Sequence, residues 1–184
     1  LEKFGGKFVA EYKYDGERVQ AHKSGDKVEL YSRRLENISS QYPDVVDLIR
    51  GQVAAKEAIL EAECVAIDLE TGDLRPFQEL MHRRRKYGVK TAVEQYPISL
   101  FVFDLLYVDG LDLTQDAFPK RRVNLEKIVK ESDRIKPACQ KLVKDTKELE
   151  EFFEEAIEEG CEGLMCKSIS KDSVYQAGSR GWYG

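Results

Sequence analysis

The stretch Glu11-Tyr12-Lys13-Tyr14-Asp15-Gly16-Glu17-Arg18 holds the residues best suited to chemistry. Strand periodicity puts Glu11 and Lys13 on one face of a strand that ends at the Asp15-Gly16 turn. Arg18 then returns toward them on the next strand. Three charged groups converging on one point are costly to hold together unless a ligand uses them. The chemistry open to Lys13 is nucleophilic attack, and its obstacle is the proton. An unperturbed lysine, with pKa ~10.4, is only about 0.1% neutral amine at about pH 7.5. Neighbouring cations and partial desolvation raise that reactive fraction.

Four further segments carry charge or rings. In Leu60-Glu61-Ala62-Glu63-Cys64 the two glutamates share a face opposite Leu60, Ala62 and Cys64. Phe103 lies in the apolar run 98–108, where core packing is the ordinary fate of a ring. Glu162 and Lys167 close the series. Alternation sets them on opposite faces, so Glu162 must precede the strand or a bulge must intervene. His82-Arg83-Arg84-Arg85-Lys86 is a dense basic cluster, suited either to a solvated loop or to gripping nucleic-acid phosphates.

The elements needed to position these residues are mostly strands. Phe8 to Tyr14 and the alternating Val19 and Ala21 read as strands, and Ser24-Gly25-Asp26 turns the chain into a third over 28–32. A short helix is expected over 44–50 after Pro43, closing near Gly51. Strands follow over 58–67 and 98–108, with turns at Thr71-Gly72-Asp73 and Asp109-Gly110. Leu149, Phe152, Phe153, Ala156 and Ile157 recur at helical spacing, with Thr146 as the expected N-cap, Gly160 at the end, and acids on the solvated face. A last strand is expected over 162–168. Strands joined by turns with interspersed helices predict an α+β fold, antiparallel β-sheets flanked by helices, and not a parallel doubly wound sheet.

Composition sets the outer bounds. The chain has 184 residues, 42% hydrophobic and 34% charged, enough for one domain with a real core. Its apolar runs are too short to span a bilayer, and the first residues lack the layout of a signal peptide. The missing initiator Met suggests a piece of a longer protein. Four cysteines without a CxxC pair, and two histidines, argue against zinc and for reduced thiols inside a cell. The net charge is −5, but residues 145–159 alone carry −7, which leaves the rest of the chain at +2. A basic surface facing nucleic acid is therefore compatible with overall acidity.

Lys13-Tyr14-Asp15-Gly16 with Arg18 resembles the K-x-D-G-x-R signature of the covalent nucleotidyltransferases. Four more segments follow in that family's order: Tyr31-Ser32-Arg33-Arg34, Leu60 to Ala66, Phe101 to Tyr107, and Glu162-Gly163-Leu164-Met165-Cys166-Lys167. Within the family the wording is most similar to ATP-dependent DNA ligases of archaeal and replicative type, as is Pro76-Phe77-Gln78-Glu79-Leu80. The resemblance runs from about Phe4 to Tyr183. It implies a nucleotidyltransferase (adenylation) core over 1–184, in which Lys13 attacks the α-phosphate of ATP and holds AMP. AMP then passes to the 5′-phosphate of nicked double-stranded DNA, and the nick is sealed.

The resemblance also implies roles. Glu11 accepts from the adenine amino group, Phe103 stacks on the base, and Arg18, Arg33 and Arg180 contact phosphate or nucleotide. Lys167 neutralises phosphates, Glu63 meets ribose and Mg²⁺, and Glu162 holds Mg²⁺. The family's last motif has two lysines after the tryptophan, whereas this sequence ends at Trp182-Tyr183-Gly184. Adenylation and sealing by these residues alone are therefore expected to be impaired. A monomer is expected, cytoplasmic if archaeal and nuclear if eukaryotic, with a sliding clamp as a partner reached through other domains. The alternatives are an RNA ligase, a capping-type transferase, or a non-catalytic nucleotide- or DNA-binding module.

Overall fold

A computed structural model describes residues 6–84 and 88–177, and no helix among them is long and apolar enough to cross a membrane. In chain order the elements are β1 (Phe8–Lys13), β2 (Glu17–Ser24), β3 (Lys27–Ser32), α1 (Pro43–Gln52), β4 (Glu57–Ala66), α2 (Phe77–Leu80) and α3 (Val89–Gln95). Then come β5 (Ile98–Val108), β6 (Leu111–Asp112), α4 (Phe118–Ile128), β7 (Ile135–Pro137), β8 (Gln140–Val143), α5 (Thr146–Glu158) and β9 (Gly163–Lys167). They form two sheets, one ordered β8-β1-β9 and one ordered β3-β2-β4-β5-β6, with β7 joining β5. All pairings are antiparallel except β5 with β7. This is the expected α+β architecture.

Each sheet buries its own apolar face. The larger sheet packs Val19, Ala21, Leu60, Ala62, Leu100 and Val102 against Val45 and Ile49 of α1. The smaller packs Phe8, Ala10 and Leu164 against Phe152 and Ala156 of α5. A third, small cluster of Val65, Phe101 and Ala138, with Tyr14 and Phe103 beside it, lies where the sheets meet. The faces that carry Glu11 and Phe103 are thus turned toward each other. All four cysteines are free thiols.

A bulge decides what β5 presents. Leu60 pairs with Leu105, Glu61 with Asp104 and Ala62 with Val102, which leaves Phe103 as an extra residue. Val102 and Leu105 keep their places in the large core, while Phe103 and Asp104 both turn toward the smaller sheet. Strict alternation would have sent one of them into the apolar core; a bulge re-aims side chains in this way.

One expectation on helices needs correction, and one helix was not expected. The cap of α5 is Asp145, whose carboxylate accepts from Glu148 N at 2.9 Å, and Thr146 is already helical. Helix α1 closes one residue past Gly51, as expected, and the carbonyls of Arg50 and of the C-cap Val53 are met by Lys23 Nζ at 3.1 and 2.7 Å. Helix α4 escapes the sequence pattern because two of its four buried residues, Arg121 and Arg122, are charged. A helix that aims arginines inward shows no apolar stripe.

Arg121 is fully buried, 0% exposed. It donates to both oxygens of Asp104 at 2.8 and 3.0 Å, and to the carbonyls of Asp116 and Ser173 at 2.6 and 3.0 Å. It ties α4, β5 and the segment after β9 together. Asp104→Ala, which strands that charge, should cost about 3–5 kcal/mol, lowering the thermal midpoint by about 10 °C. The double change Asp104→Leu, Arg121→Met should recover most of that loss in the same melting experiment. Equal destabilisation by single and double variants would contradict this account of the pair.

Candidate active site

Lys13 is the last residue of β1 and lies opposite Gly163 of β9. The amide of Glu162 donates to Lys13 O at 2.9 Å, so Glu162 sits beside the lysine just before β9 begins. Its carboxylate lies 2.9 Å from Lys13 Nζ, with both side chains a little under half exposed. Glu162 thus precedes the strand, which removes its conflict with Lys167 over alternation. The ion-paired neighbour of Lys13 is a carboxylate, while Arg18 and Lys167 pair with glutamates of their own.

The residues after Lys13 are fixed by close contacts. The Tyr14 ring stacks on Phe101, centroids 3.9 Å apart, and its hydroxyl accepts from Cys139 N at 3.1 Å. Asp15 accepts from Phe77 N at 3.1 Å, which binds the turn to the 76–80 stretch. At Gly16 a Cβ would fall 2.2 Å from Cys64 O, a backbone atom that cannot yield, so only glycine fits there. The chain then enters β2, where Arg18 lies opposite Glu63 of β4.

The facing wall is rich in carboxylates. Glu61, 3% exposed, accepts from Arg18 at 2.5 Å, Tyr175 at 2.9 Å and Gln20 at 3.2 Å. Burial pushes the Glu63 carboxyl up to about 8, against the pull of Arg18 and with the help of Glu162, Glu17 and Asp15. A carboxylate burdened in this way gains from a cation. Among the described residues no three ligating side chains stand close enough to hold a metal by themselves. Glu63 and Glu162 fit Mg²⁺, which takes one or two carboxylates and completes its shell with water and phosphate oxygens.

Deeper between the sheets, Glu11 is 2% exposed. One oxygen accepts from Arg122 Nη1 at 3.1 Å and the other from Lys167 Nζ. Lys167 lies over the Phe103 and Phe118 rings, 5.1 and 4.8 Å from their centroids. Its ammonium is therefore engaged with Glu11 and two rings. The structure groups Glu11, Lys167 and Phe103, pairs Lys13 with Glu162, and sets Arg18 across from Glu63. Arg33 is exposed just past β3, whose Ser32 pairs with Val19, the neighbour of Arg18. Arg180 lies outside the described residues.

The basic cluster is corrected in part. Arg83 is 1% exposed, bonded to both oxygens of Asp44 and, at 2.9 Å, to Tyr96 O, and so cannot reach a phosphate. Arg85 and Lys86 lie outside the described residues. Sequence reasoning missed Arg122, Tyr175 and the anchoring part of Glu61. A signal existed only for Glu61, which shares its strand face with Glu63; the other two are brought in from distant elements.

A lysine at a strand end, carboxylates near it and rings between two antiparallel sheets mark this as a two-sheet α+β domain with one charged site. The sequence profile described as the ATP dependent DNA ligase domain matches residues 1–183, and the chain belongs to that family. It is 58% identical over 183 residues to "DNA ligase 2" of Thermofilum pendens, covering 99% of this chain and 30% of that protein. The DNA ligase of Sulfolobus acidocaldarius is 53% identical over 182 residues, with 99% and 30% covered. The chain thus spans about 30% of the length of these relatives. Among solved structures, a mycobacterial DNA ligase D complexed with ATP and MES shares the fold, with TM-score 0.69 and 23% identity over 96% of this chain and 53% of that one. A Chlorella virus DNA ligase-adenylate does so at 0.57 and 14%, over 92% and 56%.

The burdened Glu63 has a consequence for stability without divalent cations. Between pH 4.5, the ordinary carboxyl value, and about 8 it binds a proton in the folded state but not in the unfolded state. Stability therefore falls as pH rises through that window. Glu63→Gln removes the burden, which is worth about 2 kcal/mol after allowance for partial solvation, or roughly 6 °C. In EDTA the variant should melt above the parent at pH 9 and level with it at pH 4.5. Identical melting at both pH values would contradict the assignment.

Proposed function

We propose that this chain is the adenylation domain of an ATP-dependent DNA ligase, with Lys13 as the nucleophile. Lys13 Nζ forms a bond to the α-phosphorus of ATP, the bond to the β-phosphate breaks, and pyrophosphate leaves as the amine loses its proton. AMP then passes to the 5′-phosphate of a nicked DNA duplex, and the 3′-hydroxyl displaces it to seal the strand. The observation that carries this reading is the pairing of Lys13 with Glu162 at 2.9 Å, with Glu63 near enough to feel the charge of Glu162 and standing opposite Arg18 in the larger sheet.

The other residues position and neutralise. Phe103 offers its ring to the adenine, and Glu11, fixed by Arg122 and Lys167, keeps a second lone pair on each oxygen with which to accept from the base's amino group. Arg18, oriented by Glu61, along with Arg33 and Arg180, meets phosphate or nucleotide oxygens. Glu63 and Glu162 would hold Mg²⁺, which when bound offsets the phosphate charge that develops in the transfer. For attack, the lysine must leave Glu162 and shed its proton. The archaeal relatives suggest a cytoplasmic protein with nicked duplex as its substrate.

The test uses the complete protein that carries this domain. With α-labelled ATP and Mg²⁺ the parent should acquire a covalent label, and Lys13→Ala should acquire none, a loss of at least about 10³-fold. Labelling should fail with GTP, and sealing should be faster on nicked DNA than on nicked RNA. A Lys13→Ala protein that labels like its parent would refute the reading.

A further inference from the structure

The loop Ser32-Arg33-Arg34-Leu35-Glu36-Asn37 holds the strongest unused feature of the molecule. Leu35 has φ +61°, and the other described non-glycine residue at positive φ is Asp109, a type that tolerates this region. Leu35 is also 72% exposed, more than any other large apolar side chain described. It is therefore held in a disfavoured conformation without gaining burial.

The loop imposes this conformation. Leu35 N donates to Ser32 O at 2.8 Å, Ser32 N to Glu36 O at 2.9 Å, and Ser32 Oγ accepts from the amides of Arg34 and Glu36, both at 3.3 Å. A bridge between Tyr31 and Asn37 closes the base. Glycine at position 35 would keep every one of these backbone bonds and remove the strain. Folding thus gives no reason for leucine at the tip.

The surroundings suggest one. Arg33 and Arg34 are exposed, and neither forms an ion pair with a described carboxylate. The loop leaves β3 beside Val19, at the end of the sheet where Arg18 lies opposite Glu63 and where β2 begins just after the turn from Lys13 to Gly16. A rigid apolar tip flanked by two guanidiniums, at the rim of the cleft, matches duplex nucleic acid: arginines meet phosphates, and an apolar side chain packs on sugars and base edges in the minor groove. We infer that Leu35 is a duplex-contacting wedge and that Arg34 is its phosphate anchor. This rests on the reading of nicked DNA as the substrate, and adds a surface that reading does not supply.

The test measures binding of the complete protein to a short nicked duplex over a range of salt concentrations, with melting of the same variants. Leu35→Ala and Leu35→Gly should each weaken binding about ten-fold, with the slope of log affinity against log salt unchanged. Leu35→Gly should also raise the thermal midpoint by roughly 3 °C. Arg34→Ala should weaken binding and reduce that slope by about one. If both Leu35 variants bind like the parent, the wedge is refuted while the ligase reading stands, and the tip then serves another partner or none. A parent protein that does not bind nicked duplex at all overturns both.

Discussion

The seam between the two sheets rests on buried charge. Glu11 comes from the smaller sheet and Asp104 from the larger, both 3% exposed or less. Arg121, Arg122 and Lys167 close on them, and all three cations are buried. Removing such groups from water is expensive, and only mutual pairing with good geometry offsets the cost. The arrangement tolerates little displacement, because each carboxylate oxygen is taken by a particular donor. Helix α4 carries both arginines, and Arg122 also donates to Ala138 O at 2.7 Å, just before β8. One helix thereby sets how β5, β1 and β8 stand relative to one another, and with them the distance between the Lys13 side of the cleft and the Glu63 side.

The rim of the cleft is built differently. There the protein accepts local cost: Glu63 is half-buried among other carboxylates, Gly16 is pressed against a carbonyl, and Leu35 is bent into a disfavoured conformation. None of these improves packing; Gly16 follows Lys13 closely in sequence, and Glu63 lies opposite Arg18 across a strand pair. Stability lost at a site and regained in the interior is the usual compromise of proteins that bind charged ligands. The interior that regains it consists of two ordinary apolar cores, one under each sheet.

Elements were legible where local chemistry spoke alone. Turns at Gly25 and Gly110, the alternating β2, the long apolar β5 and the amphipathic α5 all followed from period and turn residues. Lys13, Glu63, Phe103 and Glu162 could be singled out as candidates because each stands in a short segment of distinctive type and spacing. Where reading failed, the cause was tertiary. Helix α4 hid behind inward arginines, and the basic look of Arg83 concealed a buried anchor to Asp44.

The sequence by itself determined the antiparallel α+β class and the family, and singled out the lysine and carboxylates as candidates for chemistry, since these depend on residue type and spacing along the chain. Only the folded structure decided which charges meet. Lys167 went to Glu11, Arg18 to Glu61, and Glu162 to Lys13. The physical reason is that ion pairing acts over a few ångströms in space, and residues 156 and 149 positions apart in the chain reach that distance only when strands from separate segments are brought into register.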